Sequence, residues 1–193
     1  MDRRGLERVA IVDFDVHHGN GTQDCFDKAP RVLYFSTHQY PFYPGTGNWD
    51  ETGVGNIINV PLPRGCGDTA YLAAYNDVCA PALRRFQPQL IVVSAGFDAH
   101  FSDPLAQELV SCRGYYDIAT LLRRLAGELC DGRIVFALEG GYDHTAISWS
   151  ARACFDALLG NDFAPDPLGA GPEVRSPDVS VLLHRVLELH GLE

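Results

Sequence analysis

Residues 11–22 read IVDFDVHHGNGT, an apolar run that belongs in a core and then two aspartates and two histidines within residues 13–18. On a strand, Asp13, Asp15 and His17 lie two apart and point to one side, provided the strand stays regular that far. Buried carboxylates without partners are costly, and no Lys or Arg lies nearby in sequence. A bound cation is one way to satisfy them. The competing readings are pairing with a distant Arg or Lys, or capping of the helix that HGNGTQDCF announces, with Asn20 or Thr22 as the cap.

Outward from this stretch, the same kind of run recurs. RVAIVDFDV (8–16), RVLYFSTH (31–38), GNIINVPL (55–62), PQLIVVSAGF (88–97) and RIVFALEGG (133–141) are rich in β-branched residues and continuous rather than alternating. That composition predicts strands buried on both faces of a parallel sheet. Helical periodicity fills 68–86, 115–130 and 145–160, so strand and helix alternate. The pattern predicts an open α/β fold with right-handed crossovers, as one domain over 1–193. In such folds ligands bind outside the carboxyl ends of the strands. The polar clusters 13–20, 36–38, 98–100 and 139–143 would all gather on that rim. Residues 162–178, rich in Pro and Gly, read as a loop. Residues 179–190 read as an amphipathic helix with Val179, Leu182, Leu183, Val186 and Leu187 on its apolar face.

Composition narrows the function classes. Of 193 residues, 46% are hydrophobic and 21% charged, which suits a packed domain rather than disorder. Fifteen Lys and Arg against twenty-five Asp and Glu give a formal net charge of −10, with no basic stripe for nucleic acid. No apolar run approaches the roughly 20 residues that span a bilayer, and the opening MDRRGLERVA has no signal-peptide h-region. Six scattered cysteines without CxxC spacing argue against a disulfide framework or a cysteine zinc site. A cytoplasmic setting with reduced thiols is the simplest reading.

A distal carboxylate strengthens the cation reading. Asp98 ends another buried run, and Asp15, His17 and Asp98 together make two carboxylates and one imidazole with positions left open. Three protein ligands and a water is the pattern of a catalytic zinc site, and such an oxygen-rich set also suits iron. In ALEGGYD, Gly140 and Gly141 allow close backbone approach to a bound group. A Tyr142 hydroxyl behind them could donate to a developing oxyanion; the alternative is a tyrosine that only packs after a glycine turn.

DFDVHHGNGTQDCF, STHQYPFYPGTG, SAGFDAH..DPL and LEGGYD occur here in the order found in the histone deacetylase superfamily. The chain resembles its bacterial class II-like members, near the acetylpolyamine amidohydrolases, from about Val9 to about Leu159. The resemblance implies an arginase–deacetylase-like, three-layer α/β fold with a mainly parallel sheet, and a zinc-dependent deacetylase. It implies zinc on Asp15, His17 and Asp98, with Tyr142 bonding the substrate carbonyl. Tyr43 would stand in the aromatic wall of an acetyl-lysine tunnel. Asp13 and Ser36 match a structural potassium site, and Phe26 and Val32 fall where backbone carbonyls serve a second monovalent ion. Asn20 stands where other members carry aspartate, a position that would tune the surroundings of the ligands. The implied substrate is an acetylated lysine side chain or an acetylpolyamine-like small molecule.

One departure bears on activity. Members carry a tandem His–His pair upstream of the DxDxH strand as general acid and base, and no histidine precedes His17 here. His17–His18 is not that tandem, because His17 is used as a ligand. The resemblance thus implies the downstream part of the domain, incomplete at the N-terminal side, with an unpaired strand edge at VAIVDFDV or a neighbour. Substitute bases to consider are His38 and His100. Two rivals remain at this stage: a binuclear manganese ureohydrolase, which would need a ligand at Gly19, and a non-catalytic deacetylase-like binding module.

Overall fold

Each of the five apolar runs forms a strand: β1 (Val9–Asp13), β2 (Val32–Gln39), β3 (Ile57–Leu62), β4 (Leu90–Ala95) and β5 (Ile134–Leu138). The computed structural model describes residues 5–172 and 176–192. All strand pairs are parallel, in the order β3-β2-β1-β4-β5. The chain therefore steps outward from β1 through β2 to β3, then crosses back to place β4 on the other flank of β1. That reversal makes the carboxyl ends of β1 and β4 a topological switch point, where open α/β sheets bind ligands.

Burial divides the sheet. Every residue of β2 and β3 is buried, whereas alternate residues of β4 are only half-buried and β5 leaves Val135 and Leu138 exposed. The outer edge of β5 pairs with no strand among the described residues. The exposed edge expected at VAIVDFDV or a neighbour lies instead at β5, because β1 is the centre of the sheet, bonded on both sides.

The helices are α1 (Asn20–Phe26), α2 (Asp68–Ala73), α3 (Ala80–Phe86), α4 (Cys112–Cys130), α5 (His144–Leu159) and α6 (Ser180–His190). Residues 68–86, read as one helix, carry a π-helical turn at Ala74–Cys79 between α2 and α3. Pro81 explains it: its missing N–H and its ring disrupt the regular ladder one turn back, and a widened turn accommodates the ring. Ser111 caps α4 by accepting from the Gly114 N–H, and Asp143 caps α5 by accepting from the Ala146 N–H. The expected caps of α1 fail. Gly19 occupies that position with no side-chain bond, and neither Asn20 nor Thr22 serves. Val179, just before α6, and Leu183 and Val186 on it are buried. The described part of 162–178 holds no helix or strand.

Two expectations follow from this packing. The apolar β5 edge, flanked by exposed Phe155 and Leu159 on α5, is the place where chains would stick. Combining Val135→Lys with Phe155→Glu is expected to reduce self-association measured by light scattering; unchanged scattering would absolve this edge. The second concerns Glu108, 1% exposed, whose carboxylate oxygens have no hydrogen-bond partner. Burial pushes its carboxyl from an ordinary 4.5 up to about 8. The associated stability is full below pH 4.5 and drains away as pH rises to 8, because the unfolded chain ionises first. Glu108→Gln removes that drain. Its stability relative to the native chain is expected to grow between pH 4.5 and 8 by up to about 5 kcal/mol; a constant gap in urea unfolding would refute this.

Candidate metal centre

β1 ends at Asp13, so Asp15 and His17 lie just beyond it rather than on a regular strand. The alternation nevertheless persists: Phe14 and Val16 are fully buried, while Asp15 and His17 face the crevice at the switch point. Asp98 approaches from the loop after β4. The Val16 N–H donates to Asp98 Oδ1 at 2.8 Å, which stitches the two loops together. One ligand atom from each of Asp15, His17 and Asp98 lies within 4.8 Å of the others. His17 Nδ1 is 3.0 Å from Asp15 Oδ1 and 3.1 Å from Asp98 Oδ2.

Two glycines permit this crowding. A Cβ on Gly96 would overlap the Asp15 carboxylate, and one on Gly140 would overlap that of Asp98. Electrostatics then demand a positive charge. Hydrogen bonds that the ring donates to Asp15 and Asp98 drive the His17 imidazole up to about 10, so a proton is retained on the ring when nothing else neutralises the pair. Asp98 is raised by burial, while the bonds from His17 and Gly140 hold Asp15 down. Two carboxylate oxygens and an imidazole nitrogen at this spacing fit one divalent ion with open positions.

The LEGGYD turn is tied to the same group. The Gly140 N–H donates to Asp15 Oδ2 at 2.9 Å, and the Gly140 carbonyl accepts from the Phe97 N–H at 2.8 Å. Gly141 has φ +132°, a conformation that an L side chain strains to adopt. Tyr142 follows, half-exposed, and its backbone N–H donates to buried Asp103 at 2.8 Å. Burial and the charges of Asp98 and Asp15 raise its phenol, keeping the proton that a donor needs. Phe42 stacks on His17 with ring centroids 5.2 Å apart, whereas Tyr43 meets it edge-on at 6.2 Å and is itself 77% exposed.

Residues 1–158 match the family model of the histone deacetylase domain. The chain belongs to the histone deacetylase family. It is 49% identical over 164 residues to a protein of Oryza sativa subsp. japonica named "Histone deacetylase 10, chloroplastic", covering 83% of this chain and 37% of that one. A "Probable deacetylase" of Archaeoglobus fulgidus is 41% identical over 167 residues, covering 84% and 46%. The chain thus spans less than half the length of these relatives. Among solved structures, the HDA15 HD domain superposes with a TM-score of 0.83 at 38% identity, over 98% of this chain and 51% of that one. The histone deacetylase Clr3 gives 0.86 at 36% identity, over 97% and 32%. The parallel sheet with its helices is the arginase–deacetylase fold of this family.

The remaining residues expected from the sequence sort differently. Asp13 stands opposite Ser36 in the sheet; its carboxylate accepts from the Tyr34 hydroxyl at 2.9 Å and the Asp15 N–H at 3.0 Å. Burial and neighbouring Asp15 push that carboxyl well above the usual range. Both donors are neutral, so neither balances a charge on this carboxylate. Phe26 and Val32, expected to serve a second ion, both turn their carbonyls to the Asn56 side-chain amide, which donates to each. Asn20 is exposed and does not reach inward to tune the ligands. A ligand at position 19 is sterically excluded: a Cβ on Gly19 would come 2.7 Å from Asp13 Oδ2, which removes the second metal of the manganese reading.

Neither substitute base is free. His38 is buried with Nε2 on the Gly47 carbonyl, so its Nδ1 lone pair accepts from the Ser36 hydroxyl. In His100 the Nδ1 lone pair accepts from the Ser102 N–H, leaving Nε2–H toward Cys112 Sγ. His18, also buried, bridges Thr46 and Gln23 and packs the 40–48 loop onto α1. Sequence reasoning missed Gly96, Phe42 and Asp103. Each lies inside a quoted motif, but only the distances reveal its task.

Purified chain is expected to hold about one zinc-like ion, as three-ligand chemistry requires. Asp98→Ala should abolish uptake and Gly140→Ala should weaken it; undiminished metal content in Asp98→Ala would sink the assignment.

Proposed function

We propose that this chain carries the metal-binding half of a zinc-dependent deacetylase that removes acetyl groups from acetyl-lysine or a related acetylated amine such as an acetylpolyamine. The observation that carries the reading is the convergence of Asp15, His17 and Asp98 at the switch point, with the Tyr142 turn bonded to Asp15. Zinc, or iron in its place, would polarise the acetyl carbonyl and acidify a water when bound. Potassium would sit at Asp13 and Ser36 and balance the buried carboxylate behind the ligands.

The chain's own residues perform the rest. Gly96 and Gly140 let the carboxylates close on the ligand position. Gly140 and Gly141 bring the backbone close enough for the substrate to pass, and Asp103 holds the turn from which Tyr142 projects. The phenol donates its hydrogen bond to the acetyl oxygen, and that bond strengthens as the oxygen gains charge. Phe42 fixes the His17 ring by stacking, while Tyr43 offers an aromatic surface to the acyl-bearing stem.

Amide cleavage also needs a base for the water and an acid for the departing amine. His38 and His100 have their lone pairs engaged, and His18 is held by Thr46 and Gln23, so none of them serves. The isolated chain is therefore expected to deacetylate acetyl-lysine peptides and acetylpolyamines near background while retaining its metal. Joining it to the upstream portion of the rice relative should restore turnover. In that chimera Tyr142→Phe is expected to lower kcat by roughly 100- to 1000-fold with KM little changed. Unimpaired turnover by the variant would rule out the oxyanion role. Robust, chelator-sensitive activity of the chain alone would overturn the argument from the missing base.

A further inference from the structure

Between α1 and β2 the backbone makes a tight double turn. The Phe26 carbonyl accepts from the Ala29 N–H and the Ala29 carbonyl from the Val32 N–H, both at 2.9 Å. These turns aim the carbonyls of Phe26, Ala29 and Val32 at one point. Three converging carbonyl oxygens form the kind of cage that holds an alkali cation, because their lone pairs repel one another unless something positive sits between them. Here that point is the Asn56 Nδ2 atom, at 2.8, 3.2 and 2.8 Å from the three oxygens.

Asn56 is held there from every side. It is 5% exposed. Its Oδ1 accepts from the Val54 N–H at 3.2 Å, so amide oxygen and nitrogen are both engaged. Its backbone carbonyl accepts from the Tyr34 N–H at 2.9 Å, at the start of the β2–β3 ladder. Gly53 has φ +57°, and a Cβ there would meet Oδ1 at 2.9 Å, so the loop is shaped around this amide. A carboxamide nitrogen carries partial positive charge and two hydrogens, enough to satisfy the cage without the desolvation that a bare ion requires.

We infer that the Asn56 amide is a built-in replacement for a monovalent cation in the Phe26–Ala29–Val32 carbonyl cage. The α1–β2 connection is therefore independent of potassium, and the only alkali-ion site expected in this region is that of Asp13 and Ser36. The cage becomes ion-dependent when the two hydrogens are removed. In Asn56→Asp a carboxylate would face three carbonyl oxygens, an arrangement that requires a cation.

Crystals of the native chain soaked in rubidium or thallium(I) should show no anomalous peak within coordination distance of the Phe26, Ala29 and Val32 carbonyls. A peak there, with the Asn56 amide displaced, would overturn the inference. In solution, thermal unfolding is compared in potassium chloride and choline chloride at equal ionic strength. Asn56→Asp should gain a potassium-dependent rise in Tm beyond any shown by the native chain, and should bind one more thallium ion at saturation. Equal potassium dependence in the two proteins would count against the inference. If the variant fails to fold in either salt, the anomalous map of the native chain decides alone.

Discussion

The crevice depends on one electrostatic constraint: two carboxylates and an imidazole forced together at the ends of adjacent strands. A Cβ on Gly96 or Gly140 would overlap the carboxylates of Asp15 or Asp98, and backbone N–H groups from Val16 and Gly140 lock each acid in place. The pair cannot remain uncompensated in a buried crevice. A proton on His17 answers the charge when nothing else does, and a divalent ion answers it better because it contacts all three groups at once. The GGY turn, the 95–103 loop and the end of β1 are all positioned by bonds to these same oxygens.

The rest of the sheet grades away from that point. β2 and β3 are buried on both faces and hold the polar layer of Ser36, Thr37 and His38 rigidly behind the ligands. β4 is covered more fully on one face than the other, and β5 exposes valine and leucine at its edge. Family membership does not by itself make this chain a working enzyme. The ligand set and the tyrosine are in place, whereas His18, His38 and His100 are committed to holding loops.

Much of this was legible in the sequence, for definite reasons. Continuous β-branched runs ending in Asp, Gly or His reveal buried parallel strands and their functional ends, so all five strands and the position of Asp98 could be read. The order of strands could not, because hydrophobicity fixes that a strand is buried and not which neighbour buries it; the open edge was therefore expected at β1 or a neighbour instead of β5. The Pro81 widening of one helix and the Gly19 start of another were hidden, since both are responses of the backbone to local sterics. Asn56 was invisible for a different reason. An asparagine before a strand reads as a turn residue, and only three distances show that it occupies an ion's place.

The switch in strand order also sets how far apart in sequence the paired strands lie. β1 pairs with β2 across a short connection, but its other partner, β4, comes from much further along the chain, with Val9 in register with Leu90. His17 and Asp98, 81 residues apart, meet only once that long loop has closed, an entropic hurdle that local helices cannot remove. Metal binding is then a property of the finished sheet alone. An ion that binds the native arrangement and not the open chain would act as a clasp between segments 81 residues apart, and its binding free energy would add to that of folding.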